Sequence, residues 1–414
     1  MKDSRKKEMQ EAETMHENPE IPDELFKLAF QYRDTKLWKK LYDTEVFAVR
    51  FSTGEIGCCG VLGKKGNYIS LLVYVGEKAV RSYLRMTRLT SSTSEAERFE
   101  AMHQQDCLQC GFYNKSDLAE EIIAPVQKYA KSHNISLKGK YTYPNFIASK
   151  PLHMPWFVTD NADFIYLQEA LSAALEVADK LNTNTKEQLG FNSDLALVPL
   201  LCSGENGYAW ETYQMPKFVE EYPSPELQDS DLIQHLSGLP KKGTWECEVV
   251  ILPTPVASST MGAPYFPTLL IAADTERYHM IPTYPIENYV QEAQQMLLEL
   301  ADAMLKAGAA PKLIAVPDQR TESLLSHFCE ACSISCTITN RFVMLNEIRE
   351  EMLGHLANES DEAMMDTFSE LLMALPDEGL LAMPPELFQS VTSLLAQNAL
   401  PPELTERIKR LFSL

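Results

Sequence analysis

The residues that most suggest chemistry are cysteines. The stretch "HFCEACSISC", residues 327–336, holds His327, Cys329, Cys332 and Cys336. A second Cys-x-x-Cys pair, Cys107 and Cys110, has His103 four positions before it. Thiolate and imidazole at such spacing are the ligands of tetrahedral zinc, which usually takes two such pairs. The two pairs here lie in different halves of the chain, so each lacks its complement. Cys58, Cys59 or Cys202 would complete a site at Cys107 and Cys110 only if folding brought them in. A thioredoxin-like redox pair needs a strand before it and a helix opening at it. Cys107 instead begins a strand. The preferred reading is buried free thiols, which pack as small apolar residues. At 327–336 the reading is similar. Leu325, Phe328, Cys329 and Cys332 fall at i, i+3, i+4 and i+7, the core stripe of a helix. Cys336 falls in the next strand, in register with Ile334 and Ile338, and His327 lies off the stripe, toward solvent.

Other chemical signatures are lacking. "LCSGENG" and "VASSTMG" do not make the G-x-S-x-G elbow. No glycine-rich loop follows a strand and opens a helix, so nothing cradles a phosphate, and no HExxH is present. No cofactor motif is found. His153 and Trp156 in "PLHMPWF" are candidates to line a pocket, but a packed aromatic loop is the preferred reading.

Composition narrows the classes further. The 414 residues allow two or three domains, each with its own core. The 58 acidic against 37 basic residues leave a formal net charge of -21. That charge repels a phosphate backbone at long range, which disfavours nucleic acid as a partner. No apolar stretch approaches the ~20 residues of a membrane-spanning helix. The start is polar and lacks the apolar region of a signal peptide. Nine cysteines are an odd set without a secretion signal, so reduced thiols and a cytoplasmic location are expected.

The elements that must position these residues follow from periodicity. Residues 1–20 are charged and unpatterned, and a mobile tail is expected. A helix begins after Pro22. Three strands at "EVFAVRFSTG", "EIGCCGVLG" and "NYISLLVYVG" form an antiparallel meander. Helices follow at "EKAVRSYLRMTRL" and "SEAERFEAMHQQ", the second capped by Ser94 with Glu97 three residues on. "DCLQCGFYN" is a strand. The next helix carries Pro125, which should kink or break it. "KGKYTYPNFIASKPLHMPWFVT" reads as an ordered loop packed by its own rings. A long helix, capped by Thr159 or Asp160, carries Phe164, Leu167, Leu171, Leu175 and Ala178. "LALVPLLCSGENGYAWETYQM" is a hairpin turning at "GENG". These elements make an α+β domain over 21–215.

Residues 216–243 are rich in Pro, Glu, Asp and Ser and read as a linker. The second half, 244–355, runs β-β-β-α-β-α-β-α, which predicts an α/β domain with a mixed sheet covered by helices. Its long helix closes at Gly308. Residues 356–414 read as a helical C-terminal extension. Met364, Met365, Phe368, Leu371, Leu372 and Met373 form a Met-rich stripe there. Such a stripe can bind a protein partner's helix, though docking on its own domain is preferred.

Two stretches carry a resemblance. "GEIGCCGVLG…LLVYVGEKAVRSYL", "QDCLQCGFYNKSDL" and "KPLHMPWFVTD" resemble an uncharacterised bacterial domain. "WECEVVILPTPV…APKLIAVPDQRTESLLSHFCEACSISCTITNRFVMLNE" resembles a second uncharacterised bacterial domain that often follows the first. Together they cover roughly residues 22–355 and imply no activity. Some related proteins end in a cysteine-rich metal-binding tail, but no cysteine lies beyond Cys336 here. The order of elements in the second half is also similar to the ribonuclease-H-like fold. Nucleases of that fold hold two metal ions on acids from the first strand, first helix, fourth strand and last helix. The matching positions are Glu246 or Glu248, Glu292 or Glu299, Asp318, and Glu347 or Glu350. The first-strand aspartate is missing. The competing reading is solvated helix faces, with Asp318 capping the helix that follows it. Two functions are therefore carried forward. The first is a non-enzymatic binding or adaptor protein. The alternative is a metal-dependent nuclease or hydrolase, favoured if Asp318 lies within about 5 Å of two other carboxylates in a cleft.

Overall fold

A computed structural model describes residues 21–191, 195–205, 207–256, 263–349, 351, 373, 395 and 400–412. The tail at 1–20 and Met364, Met365, Phe368, Leu371 and Leu372 lie outside the described residues, as does Glu350. The fold is mixed α+β. The chain divides into two compact units: the first takes Met1–Glu221 and Ala257–Tyr265, the second Tyr222–Val256 and Phe266–Leu414.

The first unit is built on β1 (Phe47–Arg50), β2 (Ile56–Leu62), β3 (Ser70–Val75), β4 (Cys107–Tyr113), β5 (Tyr143–Ser149), β6 (Trp156–Phe157), β7 (Leu197–Gly204) and β8 (Gly207–Gln214). They lie in the order β6-β5-β4-β3-β2-β1-β7-β8. All neighbours are antiparallel except β1 and β7, where Ala48 sits opposite Leu200. The predicted meander and the hairpin at residues 204–207 are both present.

Alternating side chains feed two cores, one on each face of this sheet. Phe47, Val49, Cys59, Val61, Leu71, Val73, Leu108 and Cys110 point to one face. Helices α1 (Asp23–Thr35), α4 (Glu120–Ser132) and α5 (Asn161–Lys180) cover it. Val46, Ala48, Cys58, Tyr74 and Cys107 point to the other, packed by Val80, Tyr83 and Leu84 of α2 (Gly76–Thr87). Helix α3 (Glu95–His103) follows, opened by the predicted capping box of Ser94 and Glu97. Gly57 is required where it stands. A Cβ there would lie 2.6 Å from both the Phe51 ring and the Tyr74 carbonyl oxygen.

Two expectations for this unit need correction. The aromatic stretch is not a loop packed on itself. It supplies β5 and β6, because β4 offers a free edge that satisfies the backbone of Tyr143–Ser149. Pro125 does not break its helix. Helix α4 begins at Glu120, after a separate 3-10 turn at Lys115–Asp117, and runs through the proline. So close to the helix start, the missing N–H removes a single helical bond.

The second unit holds α6 (Ser230–Gly238), β9 (Thr244–Ile251), β10 (Thr268–Asp274), β11 (His279–Met280), α7 (Tyr289–Ala307), β12 (Leu313–Val316), α8 (Gln319–Ala331) and β13 (Ser335–Ile338). Helix α6 lies in the stretch expected to be a linker, and its Leu236 is fully buried in this unit's core. The sheet order is β11-β10-β9-β12-β13. β9, β10 and β11 are antiparallel, while β12 runs parallel to both β9 and β13. The predicted order of strands and helices is found, with a helical segment beginning at Leu345. Trp245, Cys247 and Val249 face α7 and α8, and Val250 packs with Ile271 and Leu345 on the other face. Gly308 closes α7 in the left-handed conformation. A last helix, α9 (Pro402–Phe412), opens at a proline pair as expected. Among the described residues, no helix is long and apolar enough to cross a membrane.

Candidate functional site

The Cys107–Cys110 pair is separated by strand geometry. Both residues lie on β4, where positions i and i+3 point to opposite faces. Cys107 enters the core shared with Cys58 and Tyr74, and Cys110 enters the core shared with Cys59. The sheet therefore stands between the two sulfurs of each pair. Burial pushes the Cys107 thiol up to about 12 and drives those of Cys58 and Cys110 higher still. Cys202 sits elsewhere, its sulfur accepting from Arg50 Nε at 3.4 Å. His103 packs its ring 4.4 Å from that of Phe99, and burial lowers its pKa. Among the described residues, no three His, Cys, Asp or Glu side chains are placed to hold one metal ion.

Five of the candidate carboxylates of the second unit, Glu246, Glu248, Asp318, Glu292 and Glu299, are engaged. Glu246 is 2% exposed and accepts from the backbone N–H groups of Val343, Met344 and Leu345 at 2.6, 2.9 and 2.9 Å. It thus holds the start of the helical segment at Leu345. Glu248, two residues on and on the same face of β9, pairs with Arg349 at 3.2 Å. Asp318 caps α8, its Oδ1 accepting from Thr321 N at 2.8 Å. Thr321 in turn takes the Val249 N–H through its hydroxyl oxygen at 3.0 Å, beyond the last pair of β12 with β9. Glu299 accepts from Tyr284 N, and Glu292 accepts from Glu287 N and Asn288 N at the start of α7. Glu347 is exposed.

Within the predicted metal set, an electrostatic interaction links Glu248 and Asp318. Burial raises the pKa of Glu248, Arg349 opposes that rise, and Asp318 adds to it. Asp318 and Glu248 are close enough to interact, with Arg349 and Arg320 beside them. Helix α7, which carries Glu292 and Glu299, covers the face of β9 opposite to Glu246 and Glu248. At this corner the Arg349 guanidinium pairs with Glu248.

The concave site of the first unit was missed by motif reading. A cavity of about 590 Å³ opens among α1, α4, β5, β6 and the start of α5. Its wall is aromatic, with Phe26, Tyr129, Phe146, Phe157 and Phe164. Phe26 lies 5.3 Å from Tyr129 and 5.7 Å from Phe146, ring centre to ring centre. Asp23, Glu121 and Lys128 are its exposed charged residues. Burial raises the Tyr129 phenol, helped by Asp23 and Glu24. The signal in the sequence was the density of rings in "YTYPNF" and "PWF". His153 and Trp156 do not converge in this cavity. His153 is buried with Nδ1 2.9 Å from the Pro151 carbonyl oxygen, while Trp156 pairs with Ala148 on the outermost strand.

The stripe proposed for 327–336 is largely as expected. Leu325, Phe328, Cys329 and Cys332 are buried, and His327 is exposed. Cys336 departs from it. β13 is an edge strand, so Ile338 is exposed and Cys336 only half-buried. Its thiol interacts with that of Cys329.

Two family models match the chain in succession. Residues 23–198 match a domain of unknown function, DUF7309, and residues 232–353 match a second, DUF6930. No curated protein matches the chain. Among solved structures, it is similar to a chain of the simian T-cell lymphotropic virus intasome in complex with PP2A regulatory subunit B56 gamma. The identity is 13% and the TM-score 0.19, over 34% of this chain and 45% of that one. It is also similar to the HTLV-2 integrase catalytic core domain in complex with magnesium, in trimeric and dimeric forms. There the identity is 13% and the TM-score 0.18, over 42% of this chain and 84% or 86% of those. Likeness at these scores assigns neither fold nor activity.

Proposed function

We propose that this chain, a DUF7309 domain followed by a DUF6930 domain, is a non-enzymatic binding protein whose ligand site is the aromatic cavity of the first domain. The observation that carries the reading is the cavity itself. A concave, mostly apolar site with a few polar groups is the usual form of a small-molecule pocket. Phe26, Tyr129, Phe146 and Phe164 are themselves buried, so the half-buried Phe157 ring and the edges of the other four would give an apolar ligand its contact. The engaged carboxylates of the second domain support the same reading. A metal at Glu248 and Asp318 would have to displace Arg349 and strip the cap from α8.

The test uses the neutral dye Nile red with the full chain. Saturable fluorescence enhancement is expected, lost on Ala124→Trp, which places a ring among the lining residues. Enhancement unchanged by that substitution would remove the cavity from consideration. A parallel assay offers DNA and RNA with Mg²⁺ or Mn²⁺. Cleavage abolished by Glu248→Gln and Asp318→Asn together would overturn the non-enzymatic reading in favour of a nuclease.

A further inference from the structure

The second unit contains a thiol arrangement that the binding reading does not use. Cys329 stands on the last turns of α8, and Cys336 stands on β13, the strand that follows. The chain turns back between them, with Ile334 N donating to the Cys329 carbonyl oxygen at 2.8 Å. Parallel pairing with β12 sets Cys336 beside Ile314, on the sheet face that packs α8. Cys329 and Cys336 are thereby brought to the same face of the sheet, where their thiols interact. Cys247, on the same face of β9, is near enough to interact with both.

The pair also has access. A cavity of about 470 Å³ opens over it, and both cysteines line it. Glu322 and Glu330 lie at the same opening with Ser323 and Ser326. Cys336 is half-buried on an edge strand, so its sulfur is not sealed in the core. Cys332 is fully buried and does not line this cavity.

We propose that Cys329 and Cys336 form a reversible disulfide, with Cys336 the peroxide-reactive thiol and Cys329 the resolving one. The Cys336 thiolate attacks one oxygen of hydrogen peroxide. The S–O bond forms, the O–O bond breaks, and the departing hydroxide takes up a proton as water. Cys336 is then a sulfenic acid, oxidised by two electrons. The Cys329 sulfur attacks the Cys336 sulfur. The S–S bond forms, the S–O bond breaks, and hydroxide leaves with the Cys329 proton as a second water. Two thiols and one peroxide thus give one disulfide and two waters. A small dithiol reverses it by exchange.

The division of roles follows from access. Cys336 is half-buried on the edge strand, whereas Cys329 is 2% exposed. Peroxide therefore meets the Cys336 sulfur first, and its thiolate is the nucleophile. Glu322 and Glu330 make the opening negative. That repels anionic oxidants such as glutathione disulfide and leaves neutral peroxide favoured.

The test treats the full folded chain with hydrogen peroxide, blocks remaining thiols and digests with a protease that cuts after glutamate. Cleavage after Glu330 separates Cys329 from Cys332 and Cys336. The expected product is a Cys329–Cys336 crosslinked peptide, lost on dithiothreitol treatment and retained in Cys332→Ser. In Cys329→Ser, dimedone should trap a sulfenic acid at Cys336. Circular dichroism checks that each variant is folded. A Cys332–Cys336 link, no link, or first oxidation at Cys202 would each overturn the proposal.

Discussion

At the scale of single residues, Glu248 shows how a buried charge is tolerated. Burial holds its carboxyl above the ordinary glutamate value of about 4.3, and Arg349 limits the rise. Because the folded pKa is the higher one, ionised Glu248 is a liability to folding. The penalty is absent below the unfolded value and complete once pH has risen through the folded one. Replacing Arg349 with Met removes the partner and enlarges that penalty. The side chain of Arg349 is 37% exposed, so the expected cost near neutral pH is about 1–2 kcal/mol, less than for a fully buried pair. Urea unfolding across a pH series should show the gap between Arg349→Met and wild type narrowing as pH falls. Adding Glu248→Gln should abolish that narrowing. A gap constant with pH would show that Arg349 acts by packing alone. In the sequence, Glu246 and Glu248 were legible as strand residues, but their partners at 343–349 were not. Nothing local indicates which distant N–H groups or guanidinium will meet a buried acid.

At the scale of elements, the helix starts were the most readable features, because a cap is a local bond. Ser94 with Glu97, Asp160 and Asp318 all cap the helices that their positions implied. The two readings of Asp318 separate by substitution. As a cap, Asp318→Asn should stay within about 0.5 kcal/mol of wild type, since Asn caps as well as Asp, while Asp318→Ala costs about 1 kcal/mol. Chemical denaturation measures both. Equal losses in the two variants would mean that the charge matters more than the cap. The strands β5 and β6 were not readable. Their stretch has three prolines and little alternation, and they form because β4 exposes an edge for them to join. The same limit applied to α6, where a polar, proline-rich surrounding hid a helix anchored by Leu236 and Leu232.

At the scale of the whole molecule, a formal charge of -21 on 414 residues opposes compaction by self-repulsion. Raising ionic strength from about 0.01 M to 0.15 M shortens the screening length from about 30 to 8 Å. The thermal midpoint should therefore rise with salt, as differential scanning calorimetry would record. A falling midpoint would mean that ion pairs such as Lys186–Glu45 outweigh the repulsion. The α+β class, the meander, the strand and helix order of the second half, and the helix caps are all legible in the order of the amino acids. Those follow from hydrophobic period and from bonds between residues close in the chain. Where the chemically suggestive residues end up is set by long-range packing. Cys107 and Cys110 look like a chelate in text, yet a strand turns them to opposite faces. Cys329 and Cys336 look like core residues of two separate elements, yet the turn after α8 brings both to one opening. The aromatic cavity arises where α1, α4, α5 and the β5–β6 edge leave space between them. Such a space is a property of packing, and no local pattern encodes it.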